Sequence, residues 1–299
     1  MEPRQVAIEV GGVRLHGLEW GEGGEPMVLL PGLGQSAHVY RELGPALASD
    51  RRVVALTPRG HGESATPPAG YAVADFAAEA RGAMDALGID RATLVAHSAS
   101  GAVATRLAAD HPARVDRIVY LDGIYDYAGR DTMVSRNPFP PPPRPFFGSA
   151  AENRAWLRRY VLAGFWCPAL DADLAARRDL DEEAHRLELL LRLVHDIIRH
   201  PHPFADLRCP ALALVAGEDV ASQFPWLDPR DTAGRQRADS YLHTVRTPWR
   251  RRAIERFCRE APQGRVVEIP GGHWFYLSAR DRVADEIRAF LHTSSPAES

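Results

Sequence analysis

Cysteine is scarce in this 299-residue sequence, and the scarcity excludes several classes of protein. The three cysteines, Cys167, Cys209 and Cys258, are odd in number and widely spaced, which excludes a disulfide framework. None of them stands in a C-x-x-C pattern, and no H-E-x-x-H stretch occurs. The sequence therefore predicts no structural zinc site, and we expect the protein to work without a metal or other cofactor.

Long apolar runs and an excess of basic residues are also missing. No stretch approaches the roughly 20 apolar residues that a membrane span needs. The first ten residues, MEPRQVAIEV, lack the apolar core of a signal peptide. The formal net charge of −3 argues against a nucleic-acid groove, which needs clustered positive charge. We therefore expect a soluble, cytoplasmic protein that acts on a small molecule, with no membrane or nucleic-acid partner; its oligomeric state is left open.

Short apolar runs alternate with helix-like segments in the first and last thirds of the chain. Eight runs read as strands, at residues 6–10, 13–20, 27–30, 52–56, 93–96, 118–121, 211–216 and 265–269. Helical periodicity or a high alanine content marks the segments 73–87, 99–109, 248–260 and 281–292. This alternation predicts an α/β fold with a mostly parallel central sheet flanked by helices, to which the first hairpin adds an antiparallel edge.

Residues 124–207 interrupt this rhythm. They contain a proline-rich segment at 138–145, which cannot enter a helix or a central strand and favours an extended conformation. Two predicted helices follow, at 152–165 and 170–199. We interpret the region as a helical cap inserted into an α/β core that comprises residues 1–123 and 208–299. The alternative interpretation is a packed helical layer that covers no pocket.

Ser98 lies in the stretch AHSAS, residues 96–100, between a predicted strand and a predicted helix. A serine on such a corner is held in strained backbone geometry with its hydroxyl exposed. The common pattern around it is G-x-S-x-G, and here Ala96 and Ser100 take the places of the glycines. Ser98 could instead be a simple helix cap. The stretch alone leaves both interpretations open.

Three further stretches follow other predicted strands: LPGLG at 30–34, TPRGHGES at 57–64 and IPGGHW at 269–274. Together with the Ser98 corner, and in this order, they resemble the α/β-hydrolase superfamily. The resemblance covers residues 25–123 and 208–292 and implies an α/β-hydrolase fold and an esterase- or lactonase-like enzyme. Pro31 and Thr57 depart from it, because the family often has histidine and aspartate at these two positions.

The resemblance implies a catalytic triad. Ser98 would be the nucleophile and His273 the base that removes its proton. The family usually places the acid after the strand that follows the insertion, which makes Asp219 the preferred acid. Asp122, at the end of the preceding strand, is the alternative, and Glu218 is a third candidate because it neighbours Asp219.

The resemblance also implies an oxyanion hole formed by the backbone N–H groups of Leu33 and Ala99. Aromatic residues of the insertion, with those beside the histidine, predict an apolar pocket. The residues expected to contact the substrate are Gly32, His97, Tyr125, Trp166 and Trp274.

A serine nucleophile with an oxyanion hole suits transfer of an acyl group to water. Our leading expectation is cleavage of a hydrophobic carboxylic ester or lactone through an acyl-enzyme. The same residues would serve C–C bond hydrolysis, acyl transfer to a second substrate, or perhydrolysis. A non-catalytic ligand-binding protein is the remaining alternative, favoured by the departures from glycine around Ser98. Serine at this position argues against dehalogenase and epoxide-hydrolase chemistry, which use a carboxylate nucleophile in this superfamily.

Overall fold

One sheet of eight strands forms the centre of the molecule. A computed structural model describes residues 1–142, 144–145, 149–176 and 180–292, with the backbone alone at 180–187. The strands are β1 Arg4–Val10, β2 Val13–Trp20, β3 Met27–Leu30, β4 Val53–Thr57, β5 Ala92–His97, β6 Val115–Leu121, β7 Ala211–Gly217 and β8 Gly264–Pro270. Their order in the sheet is β1-β2-β4-β3-β5-β6-β7-β8. β2 runs antiparallel to β1 and β4, and the other neighbours are parallel, which confirms the predicted mostly parallel sheet with an antiparallel edge.

Helices separate most of these strands and follow the last one. They are α1 Leu43–Leu47, α2 Val73–Ala86, α3 Ser100–Asp110, α4 Arg130–Ser135, α5 Ala150–Tyr160, α6 Pro168–Ala175, α7 Leu180–Arg199, α8 Val220–Gln223, α9 Thr232–Tyr241, α10 Thr247–Glu260, α11 Phe275–Ser278 and α12 Arg280–Leu291. The single helix predicted over 170–199 is therefore two helices, α6 and α7. Among the described helices, none has the length and the apolar character that crossing a lipid bilayer requires.

The core lies on both faces of the sheet. Every residue of β3, β4 and β5 is buried, as expected for parallel strands that helices cover on each side. Successive side chains of a strand point to opposite faces. Val28 and Leu94 accordingly belong to one apolar cluster, whereas Leu29 and Val95 belong to the other. The continuous apolar runs of the sequence thus correspond to strands that are buried on both faces of the sheet.

The insertion leaves the sheet after β6 and returns at β7, and its helices pack on both faces. α7 contributes Ile197 to the first apolar cluster, and α6 contributes Leu170 to the second. Asp196 of α7 accepts the Val73 N–H at the start of α2 at 2.8 Å. These contacts attach the insertion to the core. Its role as a cap over a pocket stays a prediction, and Pro143 of the proline-rich segment lies outside the described residues.

Candidate active site

Ser98 stands at a sharp turn between β5 and α3, with a φ of +54°. This left-handed backbone is unusual for a residue other than glycine and indicates local strain. The strict need for glycine lies at Gly101, because a Cβ there would be 1.9 Å from the carbonyl oxygen of Gly123. The turn that carries Ser98, called the elbow below, therefore packs its backbone against the backbone of the turn at Gly123. Ala96 and Ser100, which replace the glycines of the common pattern, leave the elbow intact.

Three side chains form a continuous hydrogen-bonded chain at this turn. Ser98 Oγ lies 2.9 Å from His273 Nε2, and His273 Nδ1 lies 2.6 Å from Asp122 Oδ2. A carboxylate only accepts, so His273 donates its Nδ1–H to Asp122 and leaves Nε2 to accept from the serine hydroxyl. The side chain of His273 is 37% exposed and Ser98 is half-buried, so the reacting end of the chain is open to solvent.

Sheet register explains why Asp122 is close to Ser98. β5 and β6 are parallel neighbours, and His97 pairs with Leu121 at their ends. Ser98 follows His97 and Asp122 follows Leu121, so these two residues leave neighbouring strands side by side. The Ser98 N–H donates to the Leu121 carbonyl at 3.1 Å. Asp122 turns away from the strand with a φ of +49°, a conformation that aspartate tolerates better than most residues.

Asp122 is buried but remains a carboxylate. Burial alone would raise its pKa, but the hydrogen bond and charge of His273 act in the opposite direction. Its Oδ1 also accepts the Ala216 N–H at 3.0 Å and the Tyr125 hydroxyl at 2.9 Å. Hydrogen bonds to the charged form favour it, and together they lower the pKa of Asp122 to about 2.

The predicted pairing of His273 with Asp219 is corrected by this geometry. Asp219 is exposed, and its Oδ1 accepts the Ser222 N–H at 2.7 Å, which caps α8. It follows β7, which lies one strand farther from β5 than β6 does. An aspartate after β6 is therefore nearer to the elbow, and the structure brings Asp122 to His273 instead.

The loop after β3 lies against the Ser98 turn, and each of these two segments carries one predicted oxyanion donor. The Gly32 N–H is already used, since it donates to Gln35 Oε1 at 3.0 Å. Within the described part of the chain, neither the Leu33 N–H nor the Ala99 N–H has a hydrogen-bond acceptor. These are the two groups that the sequence predicts for the oxyanion hole.

Ser100 ties this loop to the elbow. Its hydroxyl is buried and donates to the Pro31 carbonyl at 2.5 Å. Pro31 is two residues before Leu33, and Ser100 directly follows Ala99. The hydroxyl at position 100 therefore fixes the spacing between the two segments that carry the unpaired N–H groups.

His97 and Gln35 form a second tie. His97 Nδ1 lies 2.8 Å from Gln35 Oε1, and its Nε2 lies 3.1 Å from the backbone carbonyl of His273. Burial, followed by the nearby His273, lowers the pKa of His97 to about 3, so this ring is neutral. A Cβ at Gly32 would be 2.6 Å from the same ring. The structure thus places His97 and Gly32 among the buried supports of the loop.

The predicted aromatic contacts have different positions. Tyr125 is buried beneath the site, where it supports Asp122 through its hydroxyl and stacks on Trp249 with ring centroids 4.9 Å apart. Trp274 is half-buried, with its ring 6.5 Å from that of His97. Trp166 packs on the second apolar cluster beneath the Arg154 guanidinium. Substrate contacts by the two tryptophans stay predictions.

A buried ion-pair network supports Tyr125, and sequence reasoning missed it. The Arg250 Nε lies 3.5 Å from the Tyr125 hydroxyl. Glu218 makes a two-point pair with Arg246 at 2.5 and 2.6 Å and lies 3.7 Å from Arg250. The sequence does not mark Arg250 as buried, because it begins a run of three arginines of which the next two are exposed.

Comparisons with known proteins agree with this architecture. A family model described as an alpha/beta hydrolase fold matches residues 25–187, more than half of the chain. The dihydrolipoyllysine-residue acetyltransferase component of the acetoin cleaving system from Pseudomonas putida is 40% identical over 301 aligned positions, which cover 97% of this chain and 70% of that protein. The putative carbamate hydrolase RutD of Variovorax paradoxus is 42% identical over 101 residues, covering 33% of this chain and 38% of that protein.

Solved structures show the same fold. The crystal structure of a probable hydrolytic enzyme from Pseudomonas aeruginosa superposes with a TM-score of 0.70 at 21% sequence identity, covering 97% of this chain and 94% of that one. The predicted superfamily and fold class are confirmed. The chain belongs to the α/β-hydrolase fold family.

Proposed function

We propose that this protein is a serine hydrolase that cleaves a carboxylic ester or a lactone through an acyl-enzyme. The observation that carries the proposal is the continuous hydrogen-bonded chain from Ser98 through His273 to Asp122, with lengths of 2.9 and 2.6 Å. A serine hydroxyl is a weak nucleophile until an adjacent base accepts its proton, and a third group must orient that base. Ser98 is placed as the nucleophile, His273 as the base and Asp122 as the group that orients the base.

The chemistry follows from the contacts. As Ser98 Oγ attacks the carbonyl carbon, its proton passes to His273 Nε2, and the charged Asp122 stabilises the imidazolium that forms. Negative charge develops on the carbonyl oxygen, where the Leu33 and Ala99 N–H groups are free to donate. Loss of one such donor typically lowers kcat by about 10²–10³-fold. His273 then protonates the leaving alkoxide, and a water molecule activated by the same base hydrolyses the acyl-enzyme.

The proposed substrate is a small hydrophobic ester or lactone. The support for this class is the half-buried aromatic surface beside His273, to which Trp274 belongs. An apolar surface with a few polar groups is typical of small-molecule sites.

Acyl transfer to a second substrate is the second candidate, because the relative from Pseudomonas putida is described as an acetyltransferase component. The acyl-enzyme on Ser98 would be the same, and a thiol or alcohol would take the place of water. Product analysis with a competing thiol distinguishes the two. A hydrolase releases only the free acid, whereas a transferase releases the thioester in proportion to the thiol concentration.

The test is hydrolysis of p-nitrophenyl esters of increasing chain length by the wild type and by Ser98→Ala. A fluorophosphonate probe with mass spectrometry locates the reactive serine, and Ser49→Ala, at an exposed serine, is the control. We expect turnover and labelling to disappear in Ser98→Ala alone. A Ser98→Ala enzyme with full turnover, or a label on another residue, would contradict the proposal. Labelling of Ser98 without ester turnover would direct the search to lactones.

A further inference from the structure

Two histidines and a glutamate from three separate segments converge near the end of β4. His38 Nε2 lies 2.7 Å from Glu63 Oε1, and His16 Nδ1 lies 3.5 Å from Glu63 Oε2. One possible ligand atom from each of the three residues lies within 4.8 Å of the other two. None of the three residues takes part in the Ser98 site or in its supports. The cluster is therefore separate from the Ser98 site.

The backbone around the cluster holds its three segments in register. His16 on β2 pairs across the sheet with Thr57, the last residue of β4. The Ser64 hydroxyl accepts the His16 N–H at 2.9 Å and donates to the Thr57 carbonyl at 2.6 Å, which fixes the residue before it, Glu63. The Thr57 hydroxyl accepts the Ala37 N–H at 2.9 Å, which fixes the short turn that carries the second histidine.

The cluster is mostly buried and opens to solvent on one side. The side chains of His38 and His16 are 7% and 13% exposed, and that of Glu63 is 37% exposed. Among the described residues, His16 Nε2 and His38 Nδ1 are buried without a hydrogen-bond partner. These two nitrogens face away from Glu63. The other nitrogen of each ring, His16 Nδ1 and His38 Nε2, is directed toward the same carboxylate, and His16 Nδ1 also lies 3.4 Å from the Thr57 hydroxyl.

We propose that His16, His38 and Glu63 bind a divalent transition-metal ion such as Zn²⁺, with water completing the coordination. Zinc binds imidazole nitrogen and carboxylate oxygen at about 2.0–2.2 Å in a tetrahedron, which places neighbouring donors ~3.3 Å apart. His38 Nε2 lies 2.7 Å from Glu63 Oε1 and His16 Nδ1 lies 3.5 Å from Glu63 Oε2, on either side of this spacing. One ligand atom from each histidine lies within the same 4.8 Å limit. Two imidazoles suit zinc better than calcium or magnesium, which prefer oxygen ligands.

The ion would join β2, the turn that holds His38 and the loop after β4. A ligand that binds only the folded chain stabilises it by an amount that grows with the logarithm of its free concentration, so zinc would act as a structural clip. The proposal does not depend on the serine-hydrolase function, because its ligands are separate from that site.

The experiment uses the full chain stripped with a chelator and titrated with ZnCl₂ in a calorimeter. We expect one zinc per chain, a higher melting temperature with zinc, and visible absorption bands of nitrogen and oxygen ligation when Co²⁺ replaces zinc. His38→Gln and Glu63→Gln should each bind zinc at least about tenfold more weakly, since even lost outer-shell partners cost 10–100-fold. His200→Gln, at an exposed histidine beside Asp196, is the matched control and should bind like the wild type.

Two further measurements keep the result interpretable. Glu63 is the most exposed of the three ligands, so Glu63→Gln should fold even if His38→Gln does not, and circular dichroism checks this. His273→Gln changes the accessible histidine of the separate Ser98 site and should leave the zinc affinity unchanged. Absence of saturable binding to the wild type would overturn the proposal. So would equal affinity in a folded Glu63→Gln, or a loss of binding in His273→Gln alone.

Discussion

Two aspartates follow two neighbouring strands of the same sheet, and the structure uses them differently. Asp122 follows β6 directly, is buried, and meets His273. Asp219 lies two residues beyond Gly217, the last residue of β7, and caps a short helix at the surface. The usual place of the acid in the chain therefore does not decide which carboxylate meets the histidine. Here the turn after β7 uses Asp219 as a surface helix cap, whereas the turn after β6 directs Asp122 to His273.

Exchange of each aspartate for asparagine gives the largest expected effect. Asp122→Asn removes the charge that orients His273 and stabilises its cation, so kcat for a p-nitrophenyl ester should fall by about 10³–10⁴-fold. Asp219→Asn should stay within roughly twofold of the wild type, as surface changes usually do. Equal losses in the two variants would contradict the different roles of the two aspartates, and a larger loss in Asp219→Asn would make Asp219 the acid.

The pH dependence of the free energy of unfolding should also differ between the variants of these two aspartates. The folded state lowers the pKa of Asp122 from its ordinary value of 3.8 to about 2. The ionised carboxylate therefore stabilises the fold above pH ~4, and this contribution of about 2 kcal/mol is lost as the pH falls through ~2. Urea unfolding from pH 5 to 2 should show a flatter pH dependence for Asp122→Asn, whereas Asp219→Asn should follow the wild type. A wild-type slope in Asp122→Asn would contradict the lowered pKa.

Ser100 extends the comparison from the acid to the oxyanion side. Ser100→Ala removes the tie to Pro31 without removing an oxyanion donor, so kcat should fall by roughly tenfold, less than the loss of a donor itself. Thr105→Val is the control, because Thr105 is a second buried hydroxyl on α3 that bonds the Gly101 carbonyl instead of the loop. A similar fall in both variants would show a general packing effect.

The smallest expected loss of activity is that of Tyr125→Phe. Tyr125→Phe removes one of three hydrogen bonds to Asp122, so kcat should fall by roughly threefold, within the range of a single hydrogen bond. Tyr241→Phe is the control, because its hydroxyl bonds the Met133 carbonyl away from the acid. Activity of Tyr125→Phe at the wild-type level would show that the two remaining bonds suffice to orient Asp122.

The sequence was most informative where structure follows from local pattern. The apolar runs predicted all eight strands, since continuous burial leaves a strong signal. Ser98 and His273 were singled out because each follows a predicted strand, and the structure brings their side chains within 2.9 Å. The elbow could be recognised only in part, because close backbone packing demands glycine at Gly101 and tolerates serine one residue earlier.

Other features depend on contacts between distant segments and could not be predicted. The choice of Asp122 depends on where the turns after β6 and β7 direct their side chains, which a list of predicted strands does not contain. Gln35 and Arg250 support the site through buried hydrogen bonds across many residues of chain. Likewise, His16 and His38 are 22 residues apart in the numbering, so no short metal-binding motif marks them.

The most direct test of the account is the proton on His273 Nδ1, followed by NMR without any substrate. A short hydrogen bond from an imidazole to a buried carboxylate gives a strongly downfield proton resonance. We expect this resonance in the wild type and in Asp219→Asn, and its loss in Asp122→Asn and His273→Gln. A resonance that survives in Asp122→Asn, or disappears in Asp219→Asn, would contradict the assignment of Asp122 as the partner of His273.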